Sequence, residues 1–265
     1  MADAAPLVLD SVTHLPVLAR GRVAICASHG GVYAAWYAAR TGLAAMILHD
    51  AGIGREESGV GGLAWLDARG VPAACVGHDS ARIGDGADML ARGVLSRINS
   101  AAALLGLEPG LQCTEALRLL LAARLPPGEL QDEMGEARHV IGPMVVALDS
   151  NGLVGPQDAR HIIVTGSHGG LLGGRAETAV KAAVRAAIYN DAGIGIDRAG
   201  LSRLPALDAR GIAGATVSCF SARIGDAMST WNDGWVSAVN ATASAQGGCV
   251  GQSARDFVAA LLEHA

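Results

Sequence analysis

Residues 22–31, RVAICASHGG, and residues 161–170, HIIVTGSHGG, are the same device written twice. Each is a short apolar run closing on Ser-His-Gly-Gly. An apolar run of that length without polar alternation suits a strand buried on both faces of a parallel sheet. The glycine-bearing end suits a tight strand-to-helix turn. The fold therefore begins to be readable from one pair of segments.

The pairing extends outward in both directions. LDS at 9–11 returns at 148–150, the same 139-residue shift that relates the two SHGG motifs. DAGIG at 50–54, LDARG at 66–70 and SARIGD at 80–85 return at 191–195, 207–211 and 221–226, now shifted by 141. Two α/β repeats follow, spanning 7–124 and 146–265, with residues 125–145 as a linker whose Pro-Pro-Gly opening predicts a turn before a short helix. Copies this similar are expected to pack with pseudo-twofold symmetry, and possible homo-oligomers follow the same logic.

Within each copy AAMIL and VPAACV, and then AAIY and GATVSC, supply further buried strands. Helical patterns lie between them, at 31–42 and 170–186 after SHGG and at 62–70 and 200–211 after DAGIG. A long third helix is expected after SARIGD, carrying Gly93, Ser96 and Asn99 on one face and Gly234, Ser237 and Asn240 on its counterpart. A last helix closes each copy. Strand, loop and helix in alternation make a Rossmann-like three-layer α/β unit, repeated in tandem.

Composition narrows the function. Apolar residues make up 51% of the chain with only 3% aromatic, and no apolar run reaches the length of a membrane span. The net charge of −5 and the absence of a basic stripe argue against nucleic-acid binding. With no signal-like start, a cytoplasmic protein handling a small-molecule substrate is expected, with no membrane partner. Cys26, Cys75, Cys113, Cys219 and Cys249 are odd in number and lack paired spacing, which predicts free thiols. Neither GxGxxG after the first strand nor GxxxxGK[ST] occurs, so no nucleotide cofactor is expected.

Three loops carry the chemistry, because SHGG, DAGIG and SARIGD all fall at the carboxyl ends of strands, where open α/β sheets bind ligands. Ser28, His29 and Asp50 in the first copy match Ser167, His168 and Asp191 in the second, and these residue types include a nucleophile or water activator, a base and an orienter. The amides of Gly169 and Gly170 suit an oxyanion. Arg82 and Arg223, with Ser221 and Asp226 beside the latter, suit a substrate carboxylate, Arg223 most of all. Each motif also has a bland reading. Serine caps a turn, Asp50 and Asp191 form Asx-turns, and each arginine pairs with the aspartate of its own motif.

The leading function on these residues is hydrolysis of a C–N bond in a small carboxylate- or amide-bearing metabolite, centred on the second copy. A cofactor-free isomerase or lyase using both copies, and a non-catalytic anion-binding or regulatory subunit, stand as alternatives. No cofactor is expected. If a divalent metal is bound, His29, His49 and His78 are its ligands.

Overall fold

The computed structural model describes residues 5–125 and 133–264. The turn and the start of the short helix expected after Leu125 fall in 126–132, outside the described residues. The chain divides into two units. The first comprises residues 1–52, 57–135 and 195–197, and the second residues 53–56, 136–194 and 198–265. Each repeat thus lends a few residues to the unit built on the other.

In the first unit the order is β1 (Leu7–Leu9), β2 (Val23–His29), α1 (Val32–Ala39), β3 (Ala45–His49), α2 (Gly62–Asp67), β4 (Ala73–Val76), α3 (Gly86–Arg92), β5 (Leu95–Ile98), α4 (Ser100–Ala103) and α5 (Cys113–Leu120). The sheet runs β1-β2-β3-β4-β5, with β1 to β4 parallel and β5 antiparallel to β4. Val23, Ile25, Ala45, Ile47 and Val76 pack with Met89, Leu117 and Leu120 in one core. The alternate residues Ala24, Cys26, Met46 and Leu48 are also fully buried. Strand side chains alternate between faces, so both faces are covered, which is why the sequence lacks polar alternation.

The second unit repeats this plan with β6 (Arg138–Gly142), β7 (Val145–Leu148), β8 (Ile162–His168), β9 (Ala186–Asn190), α6 (Arg203–Asp208), β10 (Ala213–Val217), α7 (Ala227–Asp233), β11 (Val236–Val239), α8 (Ala241–Ser244) and α9 (Ala254–Glu263). Its sheet runs β11-β10-β9-β8-β7-β6, parallel from β7 to β10 with an antiparallel strand at each edge. The buried positions of α9, Ala254, Phe257, Val258 and Leu261, recur at the spacing of one helix face, as do Cys113, Ala116, Leu117 and Leu120 of α5. Two tandem Rossmann-like α/β repeats are therefore present. Strand order runs without reversal in both sheets, so neither contains the switch-point crevice of doubly wound folds.

Three local expectations are corrected. The long third helix is instead a short helix, an antiparallel strand and a second short helix in both repeats. A Cβ at Gly93 would meet Met89 O at 2.4 Å and Val76 Cγ1 at 2.8 Å, so the chain turns there while pressed onto β4. Ser96 then lies on β5, and Asn99 caps α4 by accepting from Ala102 N. Part of the expected linker forms β6.

The helix expected over 170–186 is replaced by two 3₁₀ turns, Leu172–Gly174 and Ala176–Thr178. Gly173 and Gly174 take φ of 57° and 68°, left-handed values that a right-handed helix excludes. A second difference lies at one position of the next helix. Gly62 in the first repeat lets α2 approach α1 so closely that a Cβ would lie 2.5 Å from Ala35 Cβ. Its counterpart is Arg203, which is buried and donates through Nη1 to the carbonyls of Thr178 and Ala179. The guanidinium fills the space a helix would need and binds the carbonyls directly. Lys181, expected on a helix face, is exposed and donates to Gly152 O.

Candidate functional site

SHGG, DAGIG and SARIGD stand at the carboxyl ends of β2, β3 and β4 and of β8, β9 and β10, as their order in the sequence implied. Most of their polar atoms hold the loops themselves. Ser28 Oγ accepts from Val12 N at 3.0 Å, and Ser167 Oγ accepts from Asn151 N at 2.8 Å. His29 Nδ1 accepts from Gly31 N at 3.1 Å, and His168 Nδ1 accepts from Gly170 N at 3.2 Å. This explains why histidine follows serine in both copies. Gly30 N and Gly169 N donate to the carbonyls of His49 and Asn190. The amides expected to cradle an oxyanion are thus spent inside the fold, and a Cβ at Gly169 would meet Gly200 O at 2.2 Å.

The DAGIG motif is a run of left-handed backbone. Ala51, Gly52, Ile53 and Gly54 have φ of 50°, 77°, 62° and 69°, and Ala192, Gly193, Ile194 and Gly195 repeat it at 50°, 75°, 63° and 68°. Non-glycine residues there, isoleucine above all, are strained by roughly 1–2 kcal/mol each. The preceding side chains hold the run in place. Asp50 Oδ1 accepts from Gly52 N at 3.0 Å and from His78 N at 2.9 Å; Asp191 Oδ1 accepts from Gly193 N at 3.0 Å and from Cys219 N at 2.9 Å.

His49 and Asn190 do one job with different chemistry. His49 Nδ1 accepts from Ala51 N and Nε2 donates to Ala81 O, both at 3.0 Å. Asn190 Oδ1 accepts from Ala192 N at 2.9 Å and Nδ2 donates to Ala222 O at 3.1 Å. With its lone pair used, His49 has none to offer a metal. Among the described residues no group of three or more His, Cys, Asp and Glu is arranged to hold a metal ion, so the His29, His49 and His78 set is not brought together as ligands.

SARIGD builds a turn and a helix start. Ser80 and Ser221 donate to Gly77 O and Ser218 O at 2.8 Å, while Asp85 and Asp226 cap α3 and α7. Within the first unit Arg82 pairs with Asp197 at 2.8 Å. Within the second, Arg223 donates to Asp226 Oδ2 from Nε at 3.2 Å and Nη2 at 2.9 Å, and its Nη1 lies 3.2 Å from Glu56 Oε2.

One pair goes beyond loop holding. His78 Nδ1 lies 3.1 Å from Asp50 Oδ1, with the ring 31% exposed and the carboxylate 2% exposed. Burial pushes the Asp50 carboxyl up, but the His78 hydrogen bond, His49 and the Gly52 amide outweigh it and hold it below its usual range. An ionised Asp50 accepts from Nδ1–H, and in the neutral form of that ring the lone pair is on Nε2. Two strands away, burial and then His49 pull His29 down to about 4, so its ring is neutral, with Nδ1 accepting and the proton on Nε2. Sequence reasoning had placed His78 only among metal ligands. The signal for its pairing was that Asp50 and His78 end adjacent strands.

The second repeat has Cys219 at the position of His78. Cys219 is buried, as are Cys26, Cys75 and Cys113, and none of the five cysteines forms a disulfide. Burial alone pushes the Cys26 and Cys113 thiols up to about 12, which leaves them unreactive at neutral pH. Among the described residues no helix is long and apolar enough to cross a membrane. Comparison with protein-family models, with curated proteins and with solved structures finds no match.

Proposed function

We propose that the protein is an enzyme that hydrolyses a C–N bond in a small carboxylate- or amide-bearing metabolite, with the first repeat carrying the reaction. The observation behind this reading is the Asp50–His78 pair, a buried carboxylate orienting a part-exposed imidazole at a strand end. His78 Nε2 takes a proton from water as the oxygen attacks the carbonyl carbon. The resulting imidazolium, stabilised by Asp50, returns that proton to the departing nitrogen. His29, a neutral Nε2–H donor at the end of β2, is the group proposed to stabilise the developing oxyanion. The strained left-handed run after Asp50 supports the same place, since strain of this kind concentrates at functional sites.

This reading moves the chemistry away from Ser167, His168 and Asp191. Arg223 is left out of substrate binding because its donors go to Asp226 and Glu56. A non-catalytic binding or regulatory role is the second reading: the internally satisfied loop amides offer no oxyanion hole, so any bound solute would be held by side chains alone. A metabolite-depletion screen with purified protein separates the two. Loss of one metabolite with appearance of its hydrolysis products supports the enzyme, whereas ligand retention without depletion supports the binding role.

A further inference from the structure

The opposite end of the second unit carries a cluster of cations that the loops do not explain. A cleft of about 500 Å³ is lined by Ala183, Arg185, Arg210, Ile212, Gln246 and His264, among others. A neighbouring cleft of about 400 Å³ shares Ala183, Val184 and Arg185 with it and adds Met144 and Arg160. Arg160, Arg185 and Arg210 sit just before the amino ends of β8, β9 and β10. The seven-residue strand β8 separates them from SHGG by roughly 20 Å.

Two of the guanidiniums are held in place by backbone rather than by acids. Arg210 donates to Val180 O at 2.7 Å and to Ala182 O at 3.0 Å, and Arg185 donates to Leu261 O. Among the described residues no acidic side chain lines either cleft, and no ion pair involves Arg160, Arg185 or Arg210. An acid-free group of three arginines is notable in a chain of net charge −5. A guanidinium carries five donors in a rigid fork, so most of the N–H groups remain for a ligand.

The internal duplication separates this cluster from the shared fold. In the register that pairs the repeats, Arg160, Arg185, Gln246 and His264 stand opposite Gly21, Ala44, Leu105 and Ala123. Only Arg210 has a basic counterpart, Arg69, whose guanidinium lies 3.8 Å over the Trp65 ring. The backbone is equivalent, since Arg160 and Gly21 share left-handed φ of 65° and 73° and Arg185 N and Ala44 N make matching bonds to His161 O and Arg22 O. Arg160 and Arg185 are therefore specific to the second repeat, at backbone positions that the first repeat builds without them.

We infer that these joined clefts bind a small phosphate-bearing solute, its phosphate between Arg185 and Arg210 with Arg160 closing on it from the second cleft. Three cations placed before three different strands suit an anion with oxygens on several sides better than a planar carboxylate. Preorganisation of two guanidiniums by carbonyls lowers the ordering cost of binding. The inference is independent of the proposed hydrolysis at the other end of the strands.

The test is calorimetric titration of the full chain at low ionic strength with inorganic phosphate, glycerol phosphate and acetate. Saturable phosphate binding, weaker acetate binding and a loss of about tenfold or more in Arg160→Gln are expected. Arg160 makes no described side-chain bond, so this variant leaves the fold intact, and Arg185→Gln provides a second. Tighter binding of glycerol phosphate than of inorganic phosphate assigns an organic phosphate, and equal binding assigns the free ion. Absence of saturation, equal acetate affinity, or unchanged affinity in both variants overturns the inference.

Discussion

His78 Nδ1 and Asp50 Oδ1 lie 3.1 Å apart at the ends of two adjacent parallel strands, and the matching position in the second repeat holds Cys219 instead. The pair fixes a tautomer. Nitrogen-15 NMR of labelled protein at neutral pH should find His78 protonated on Nδ1 and bare on Nε2, and Asp50→Asn should disturb that preference. A His78 ring protonated on Nε2 in the unaltered protein contradicts the assignment.

The His49 and Asn190 equivalence gives a direct substitution test. Asparagine at 190 already makes the bonds that His49 makes at the matching turn. His49→Asn should therefore change stability by less than about 1.5 kcal/mol, whereas His49→Leu, which orphans Ala51 N and Ala81 O, should cost about 2 kcal/mol or more. Urea denaturation of the two variants checks the difference. Equal, large losses would show that the ring is needed for its shape.

The first repeat should lose stability in acid through His29. Its folded pKa is depressed from 6.5 to about 4, so the neutral ring belongs to the folded state. The contribution is complete above pH 6.5 and is lost as the pH falls through about 4. Asp50, also depressed, adds loss in the same direction below the ordinary carboxylate range. In His29→Asn, whose amide can still accept from Gly31 N, urea midpoints should fall less steeply across that window. An unchanged slope would mean that His29 does not titrate with folding.

Arg203 should be costly to remove. Its guanidinium is buried, lies 5.0 Å from the Tyr189 ring centre and satisfies the carbonyls of His168, Thr178 and Ala179. Arg203→Ala leaves a cavity and unpaired carbonyls, each worth about 1–3 kcal/mol, so a large fall in the urea midpoint is expected. Arg203→Gly, which restores the residue of the first repeat, should not rescue it, because Gly173 and Gly174 still disfavour a helix there. Near-neutral variants would contradict the account of the missing helix.

The two tandem repeats, the buried strands and the loop positions were legible because each rests on local pattern: apolar runs, strand-end polar motifs and a fixed register. The third helix was misread because Gly93, Ser96 and Asn99 recur at helical spacing, while the close approach of Gly93 to Val76, seventeen positions earlier and too tight for a Cβ, leaves no mark in that spacing. The helix over 170–186 was misread because the Ala-rich stretch from Ala176 onward favours one, while Gly173 and Gly174 turn left-handed before it and Arg203, from a later element, binds the carbonyls of Thr178 and Ala179. Local partners were found with the residues, as in the Asx-turns of Asp50 and Asp191 and the Arg223–Asp226 pair, but the partner from another strand, His78 for Asp50, was not. Whether an aspartate binds a loop amide or a distant imidazole depends on which strands are neighbours, and strand order is absent from the periodicity.

The most direct measurement is the turnover rate of the depleted metabolite in His78→Gln set against His168→Asn, with folding of each verified by its urea midpoint. The general-base assignment predicts that His78→Gln lowers kcat by about 100-fold or more, in line with the usual worth of a positioned base. It also predicts that His168→Asn, altered in the repeat without the dyad, keeps most of the activity. A His78→Gln enzyme with normal kcat, or a loss confined to His168→Asn, contradicts it and returns the chemistry to the second repeat.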